Sequence, residues 1–330
     1  MVTKRDAILN GTIKATELHK QLGLQQALAG GQAPIDVLGV MHHLGLVVIF
    51  RPLEGLLGAY LPLPGVAGII VTTKRPLQVQ RFTAAHELGH FMFKHAVSTD
   101  KDVGFAARGE IKRYDPQEVE ADAFASEFLM PKWLIAAHVR RQNWTLNELR
   151  LQPYVYQLSL RLGVSYEALC WALQGHGIIP RTVADDLRAR EVKAAKQVAA
   201  GDVKPATWWA DVWTVREQDN GATLLGGPDD LLVLNLQEHT TAGYRWDLSA
   251  AERLGLTIKQ DTQLPVPQME IGAMPTRRAT LQGEVEGTLL LEQRRAWEAR
   301  GNAGASLKFE LSLHGKESSG LPRVARLKHA

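Results

Sequence analysis

The segment Arg81-Phe82-Thr83-Ala84-Ala85-His86-Glu87-Leu88-Gly89-His90 places two histidines four residues apart. On a helix that spacing stacks both imidazoles on one face, where they can share a single metal ion. Glu87 stands beside the first and can reach a water on that ion. Zinc lowers the pKa of such a water toward about 7, and a carboxylate can take its proton as it attacks a carbonyl. Phe82, Leu88, Phe91, Met92 and Phe93 predict that the helix is buried. Two histidines and a glutamate in apolar surroundings are costly without a metal partner. The alternative is a pair of core histidines on an amphipathic helix.

A catalytic zinc site takes three protein ligands and keeps one position open. A third histidine six residues beyond the second, with a glycine between, is closed off, because Phe93 and Ala96 occupy those positions. His95 is one step out of register and reads as a core or surface histidine. The other route is a carboxylate from a later helix. Asp115-Pro116-Gln117-Glu118-Val119-Glu120-Ala121-Asp122 begins one, with Asp115 as cap and Pro116 in the first turn. Glu118 and Asp122 share a face, and Glu120 lies roughly 200° round from Glu118. We assign Glu118 as the third ligand of a Zn2+ ion, Glu87 as the base, and Asp122 as the group that orients a ligand histidine. Asp115 and Glu118 also have capping-box spacing, which gives Glu118 a purely structural alternative.

These side chains need elements to hold them. Residues 1–30 read as a helical lead-in. Ile35, Leu38, Met41 and Leu44 have helical spacing; Leu46–Phe50, Leu56–Leu63 and Gly68–Thr72 read as strands. Helical texture runs from about Leu77 to Ala200, broken at Pro131, Pro153 and Pro180. Residues 181–213 read as a linker containing a solvated connecting helix, with Trp208, Trp209 and Trp213 sealing the junction between domains. After Pro205, short apolar runs such as Leu231–Leu234, Thr288–Leu291 and Leu307–Leu313 alternate with turn signals, as in a β-sandwich. The fold class expected is an α+β domain with a small antiparallel sheet and an active-site helix over 31–180. An all-β immunoglobulin-like sandwich over 214–316 and a basic tail at 317–330 follow.

Composition sets the outer limits. A chain of 330 residues exceeds what one core usually holds. With 45% hydrophobic and 22% charged residues it is not disordered throughout. No apolar run approaches about 18 residues, so no membrane helix is expected, and no signal-peptide core follows Met1. The single Cys170 forms no internal disulfide, which fits a reducing compartment. A net charge of +3 is too small to argue for nucleic acid.

The helix motif resembles that of the ImmA/IrrE family of zinc peptidases. So do Arg81-Phe82-Thr83 before it, Glu118–Asp122, Phe124-Ala125-Ser126-Glu127-Phe128-Leu129-Met130-Pro131, and Leu160–Leu169. The resemblance covers about residues 30–180. It implies a cytoplasmic zinc endopeptidase with ligands His86, His90 and Glu118 and base Glu87. Many relatives cleave a partner helix-turn-helix repressor after stress or mobile-element signals. A peptide substrate would lie extended beside an edge strand such as Gly68–Thr72. Tyr114, Tyr154 and Tyr156 are candidates by type for stabilising the oxyanion. The stretch 154–174 has a helix-turn-helix outline, but its second helix carries no Lys or Arg before Gly175, so a hairpin bracing the peptidase is expected.

Residues 214–315 resemble chagasin-type cysteine-peptidase inhibitors. His239-Thr240-Thr241-Ala242-Gly243-Tyr244-Arg245-Trp246 matches one loop of that family, Arg295-Ala296-Trp297 another, and Gly272-Ala273-Met274-Pro275 stands where it has a glycine-rich third. The resemblance implies an immunoglobulin-like sandwich with a recognition end at Thr241, Gly243, Tyr244, Met274, Arg295 and Trp297. Two other functional readings stand beside the peptidase: a regulatory binding protein whose zinc is structural or silent, and an inhibitor of a cysteine peptidase. A nucleic-acid trigger finds no basic-aromatic cluster to support it.

Overall fold

A computed structural model describes residues 3–63, 66–95, 115–264, 274–295, 297 and 303–315. The expected basic tail at 317–330 and Tyr114 lie outside them. The chain opens with α1 (Lys4–Gln21), whose cap Thr3 exchanges hydrogen bonds with Asp6, and a short α2 (Leu24–Ala27). Next come α3 (Val37–His43), β1 (Val47–Arg51), β2 (Gly58–Leu63) and β3 (Val66–Thr72).

The three strands form one sheet in the order β1-β3-β2, with β3 antiparallel to β2 but parallel to β1. The expected antiparallel sheet is therefore mixed. β3 follows β2 after two residues and pairs with it antiparallel, while β1 pairs along the other flank of β3. Ile69 and Val71 of β3 are accordingly buried. Gly68–Thr72 is thus the central strand, not an edge; the edge beside the hairpin is β2.

Helix α4 (Leu77–Phe93) packs on β2 and β3, and α5 (Pro116–Leu129) packs on α4. The far side of α5 is covered by α1, through Ala7, Gly11, Ala15 and Leu18. A Cβ on Gly11 would lie 2.4 Å from the Glu120 carbonyl oxygen, so only glycine lets the two backbones meet here. The N-terminal residues are a wall of the domain rather than a lead-in.

Helices α6 (Lys132–Arg141), α7 (Gln152–Leu162) and α8 (Tyr166–Gly175) complete this unit. The α7–α8 hairpin grips α4: Arg81 donates from Nε to the Gly163 carbonyl at 3.0 Å and from Nη2 to the Ile35 carbonyl at 2.7 Å.

The stretch expected as a solvated connecting helix is two helices, α9 (Arg181–Ala189) and α10 (Val192–Ala200), and neither is simply solvated. Ala184 and Leu187 of α9 are buried, and α10 packs on α7 and the first sandwich strands. Lys196 of α10 reaches back to the carbonyls of Trp208, Trp209 and Ala210 and to Asp211.

The second unit is a sandwich of β4 (Val212–Val215), β5 (Ala222–Leu225), β6 (Leu231–Gln237), β7 (Tyr244–Asp247), a short α11 (Ser249–Leu254), β8 (Thr257–Leu264), β9 (Thr276–Gln282), β10 (Glu286–Arg295) and β11 (Ser306–Ser312). Its sheets run β4-β6-β9-β8 and β5-β11-β10-β7. Leu232, Leu234 and Leu236 of β6 face the sandwich core, while Leu231 and Val233 face out and are covered with Val212 and Ala200. That second apolar face is why α10 is not a free linker.

The seam between the units is largely polar. The edge strand β4 is capped by Gln157 of α7, whose amide donates to the Val212 carbonyl at 2.8 Å and accepts from Thr214 N–H at 2.9 Å. One side chain thus replaces a neighbouring strand. Tyr156 donates to Asp211 at 3.0 Å and accepts from Val212 N–H at 2.8 Å. Arg161 pairs with Asp219 across the seam at 2.8 Å. Trp209 does not seal it: it is 89% exposed, while Trp213 lies in the core.

Candidate metal centre

His86 and His90 lie on the buried face of α4, 1% and 2% exposed, with their Nε2 atoms 3.0 Å apart. Glu118, in the first turn of α5, brings Oε2 to 3.4 Å from His86 Nε2 and Oε1 to 3.6 Å from His90 Nε2. Two atoms each bonded at about 2.0–2.2 Å to one ion can be no more than about 4.4 Å apart. These separations all pass, and two imidazoles with a carboxylate are a donor set that suits zinc and other divalent transition ions. The capping alternative is met instead by Asp115 itself, whose Oδ1 accepts from Gln117 N–H at 2.9 Å.

Behind the ligand atoms stands a second tier. His86 Nδ1 is 2.9 Å from Asp122 Oδ1. His90 Nδ1 is 2.9 Å from Nδ1 of His95. His95 is thus neither an ordinary core nor an ordinary surface histidine. Helix α4 ends at Phe93, and Lys94 takes a left-handed φ of 54°, which folds the next ring back under His90. Helical register does not extend past that point, and no glycine at 94 signals the reversal. His95 Nε2 in turn lies 3.1 Å from Glu120 Oε2. Burial holds His95 below the ordinary histidine range, against the opposing pull of Glu120.

Glu87 is buried one residue after the first histidine. A second residue missed in the sequence is Gly58 at the start of β2. A Cβ there would stand 2.5 Å from Thr83 Cγ2 and 3.1 Å from Glu87 Oε1, so the strand runs directly against the carboxylate. Two of the tyrosines considered for the oxyanion are elsewhere. Tyr156 is committed to the seam, and Tyr154 packs edge-on against Trp144 at 5.3 Å and lines a cleft there with Arg278.

The sandwich loops around 239–243, before β9, and after β10 emerge at one end. Thr276 pairs with Gln237 and Arg295 with Tyr244 there. Arg295 lies over the Tyr244 ring at 4.6 Å and donates to the Ala242 carbonyl at 2.9 Å. The Trp297 ring lies against Gly243 yet is 71% exposed. Met274 is exposed at the mouth of its loop; the side chain of Thr241 lies outside the described residues. Trp246, by contrast, is core, its Nε1 donating to the Gln237 carbonyl at 2.9 Å.

The α4–α5 arrangement lies within a stretch that is similar to a known family. Residues 41–174 match the model of the Peptidase_M78 family, described as an IrrE N-terminal-like domain. Among solved structures, a cysteine protease inhibitor from Entamoeba histolytica, EhICP2, is similar over 32% of this chain and 97% of its own, at 22% identity and a TM-score of 0.26. Amebosin is similar over 32% of this chain and 98% of its own, at 16% identity and a TM-score of 0.25. No curated protein matches the chain. Among the described residues, no helix is long and apolar enough to cross a membrane.

Proposed function

We propose that this protein is a zinc-dependent endopeptidase of the cytoplasm that cleaves a partner helix-turn-helix repressor, with the sandwich serving recognition or regulation. The observation that carries the reading is the convergence of His86, His90 and Glu118 with Glu87 on the same turn of α4. Those three would hold the ion, which when bound polarises the scissile carbonyl and acidifies water. Glu87 takes the proton of the attacking water and returns it to the leaving amine. Asp122 accepts from His86 Nδ1–H and so leaves the Nε2 lone pair for the metal. An extended peptide would pair with the edge of β2, whose Gly58 borders Glu87. The only cysteine, Cys170, is buried with its thiol pushed up to about 11, so it is no nucleophile.

Purified protein is incubated with a co-encoded repressor, with and without chelator, beside a Glu87→Gln variant. Cleavage is expected to vanish with chelator and with Glu87→Gln, while the variant keeps its zinc. Equal cleavage by Glu87→Gln refutes the mechanism.

A second reading, inhibition of a cysteine peptidase, is favoured by the exposed Trp297 beside Gly243 and the Arg295–Tyr244 stack. Titration of the full chain against a papain-like peptidase decides it; no inhibition at micromolar concentration removes it.

A further inference from the structure

The two ligand histidines are held in different ways, and the difference reaches the N-terminal helix; its meaning rests on the zinc reading proposed above. Asp122 meets His86 directly. His90 is backed by a second imidazole, then by Glu120, and then by Asn10 of α1, whose Nδ2 donates to Glu120 Oε1 at 2.8 Å. The C-terminal cap of α4, the first turns of α5 and the middle of α1 thereby join in one hydrogen-bonded row.

The polarity of the row follows from His90. An imidazole that offers Nε2 to a metal carries its proton on Nδ1. His90 Nδ1 then donates, so His95 Nδ1 must accept, and the one ring N–H left to a neutral His95 is at Nε2, aimed at Glu120. The carboxylate accepts there with one oxygen and from the Asn10 amide with the other. Each group has the sign its neighbour needs; a proton on His95 Nδ1 would set two N–H groups face to face.

We propose that His95, Glu120 and Asn10 are positioning residues that fix the tautomer and ring plane of His90, and that α1 is thereby part of the metal centre. Helix α1 precedes residue 41, where the family match begins. The backbone contact of Gly11 with Glu120 serves the same end, because it sets the distance over which Asn10 reaches.

A packing role for His95 is the competing account, since its ring stacks on Phe93 at 5.2 Å with planes 10° apart. The two accounts separate in substitutions. His95→Phe keeps a flat ring without the polar row; His95→Gln offers a carbonyl to His90 and an N–H to Glu120.

The full chain and its variants are titrated with zinc against a chromophoric chelator, and melting temperatures are taken without metal. Wild type is expected to bind zinc, His95→Phe about 10–100-fold more weakly, and His95→Gln within about threefold of wild type. Metal-free melting of His95→Phe should stay within about 2 °C of wild type. Asn10→Ala, an exposed change that leaves the core intact, should weaken binding by at least about twofold. Unchanged affinity in His95→Phe, or equal loss in His95→Phe and His95→Gln, overturns the positioning row; unchanged affinity in Asn10→Ala overturns the role of α1. A wild-type protein that binds no zinc overturns the metal reading itself and this inference with it.

Discussion

Replacing Asp219 with alanine tests what locks the sandwich to the first unit. Asp219 is 1% exposed and Arg161 5%. The carboxylate accepts from Arg161 Nε at 3.1 Å and Nη2 at 2.8 Å, from the Gln142 amide at 2.6 Å and from Arg216 N–H at 3.0 Å. Removing it leaves the guanidinium in place, still bonded to Gln157 and to the Thr214 carbonyl but without a counter-charge. Stranding one partner of a buried pair costs about 3–5 kcal/mol. Water admitted to the vacated space can serve the two neutral donors, so nothing is added for them. At about 2 °C per kcal/mol for a chain of this length, calorimetry should show the melting temperature falling by roughly 6–10 °C. The double variant Arg161→Met, Asp219→Leu should recover part of the loss, because an apolar pair removes the stranded charge while the Gln142 amide and Arg216 N–H remain without their acceptor. If Asp219→Ala melts within about 2 °C of wild type, or the double variant is as unstable as the single one, the stranded-charge argument is wrong.

Two further outcomes are expected. His138 is fully buried, and burial first, then the Arg161 charge, lowers its pKa to about 3. Because this folded value lies below the unfolded one, near about 6.5, its contribution to stability is complete above about pH 6.5 and declines as pH falls. By pH 4 the loss is about 3 kcal/mol, and urea midpoints of wild type and His138→Leu at pH 7 and pH 4 measure it; parallel lines would remove His138 as the cause. Gly58→Val drives a side chain into Thr83 and the Glu87 carboxylate, so peptide hydrolysis should drop at least about tenfold while zinc affinity holds within about threefold; undiminished kcat would show that β2 does not position Glu87.

The parts of the site legible in the sequence are those set by spacing within a single helix. His86 and His90 stand one turn apart on α4 with Glu87 beside the first, and Glu118 and Asp122 share a face of α5, so each group could be placed before any tertiary contact was known. His95 could not, because its place depends on Lys94 leaving the helix with a positive φ that its residue type does not announce. Apolar runs marked the strands of the first sheet and several of the sandwich, but not the largely polar β8 and β9, and they did not give strand order: nothing in Gly68–Thr72 says that β1 lies along its other side. The two apolar faces of Leu231–Leu236 did carry a signal that something covers the sandwich from outside. Trp209 and Trp213 show the opposite limit, since residue type alone does not sort neighbours into solvent and core.

Domains joined by a tether are free to move unless their interface is extensive. Here both sheets of the sandwich present an edge to the first unit: β4 bonds to the Gln157 side chain, and Thr223 N–H of β5 donates to the Gln32 carbonyl at 2.8 Å. The helix that receives β4 is α7, and the turn ending α7 holds Arg81, five residues before His86 on α4. Asp219, Arg161, the Gly163 turn and Arg81 therefore form a continuous run of packed and hydrogen-bonded groups from sandwich to α4. A sandwich mounted in this way shares the footing of the candidate metal centre, and loss of the Asp219 pair should be felt in the alignment of α4 as well as in the melting temperature.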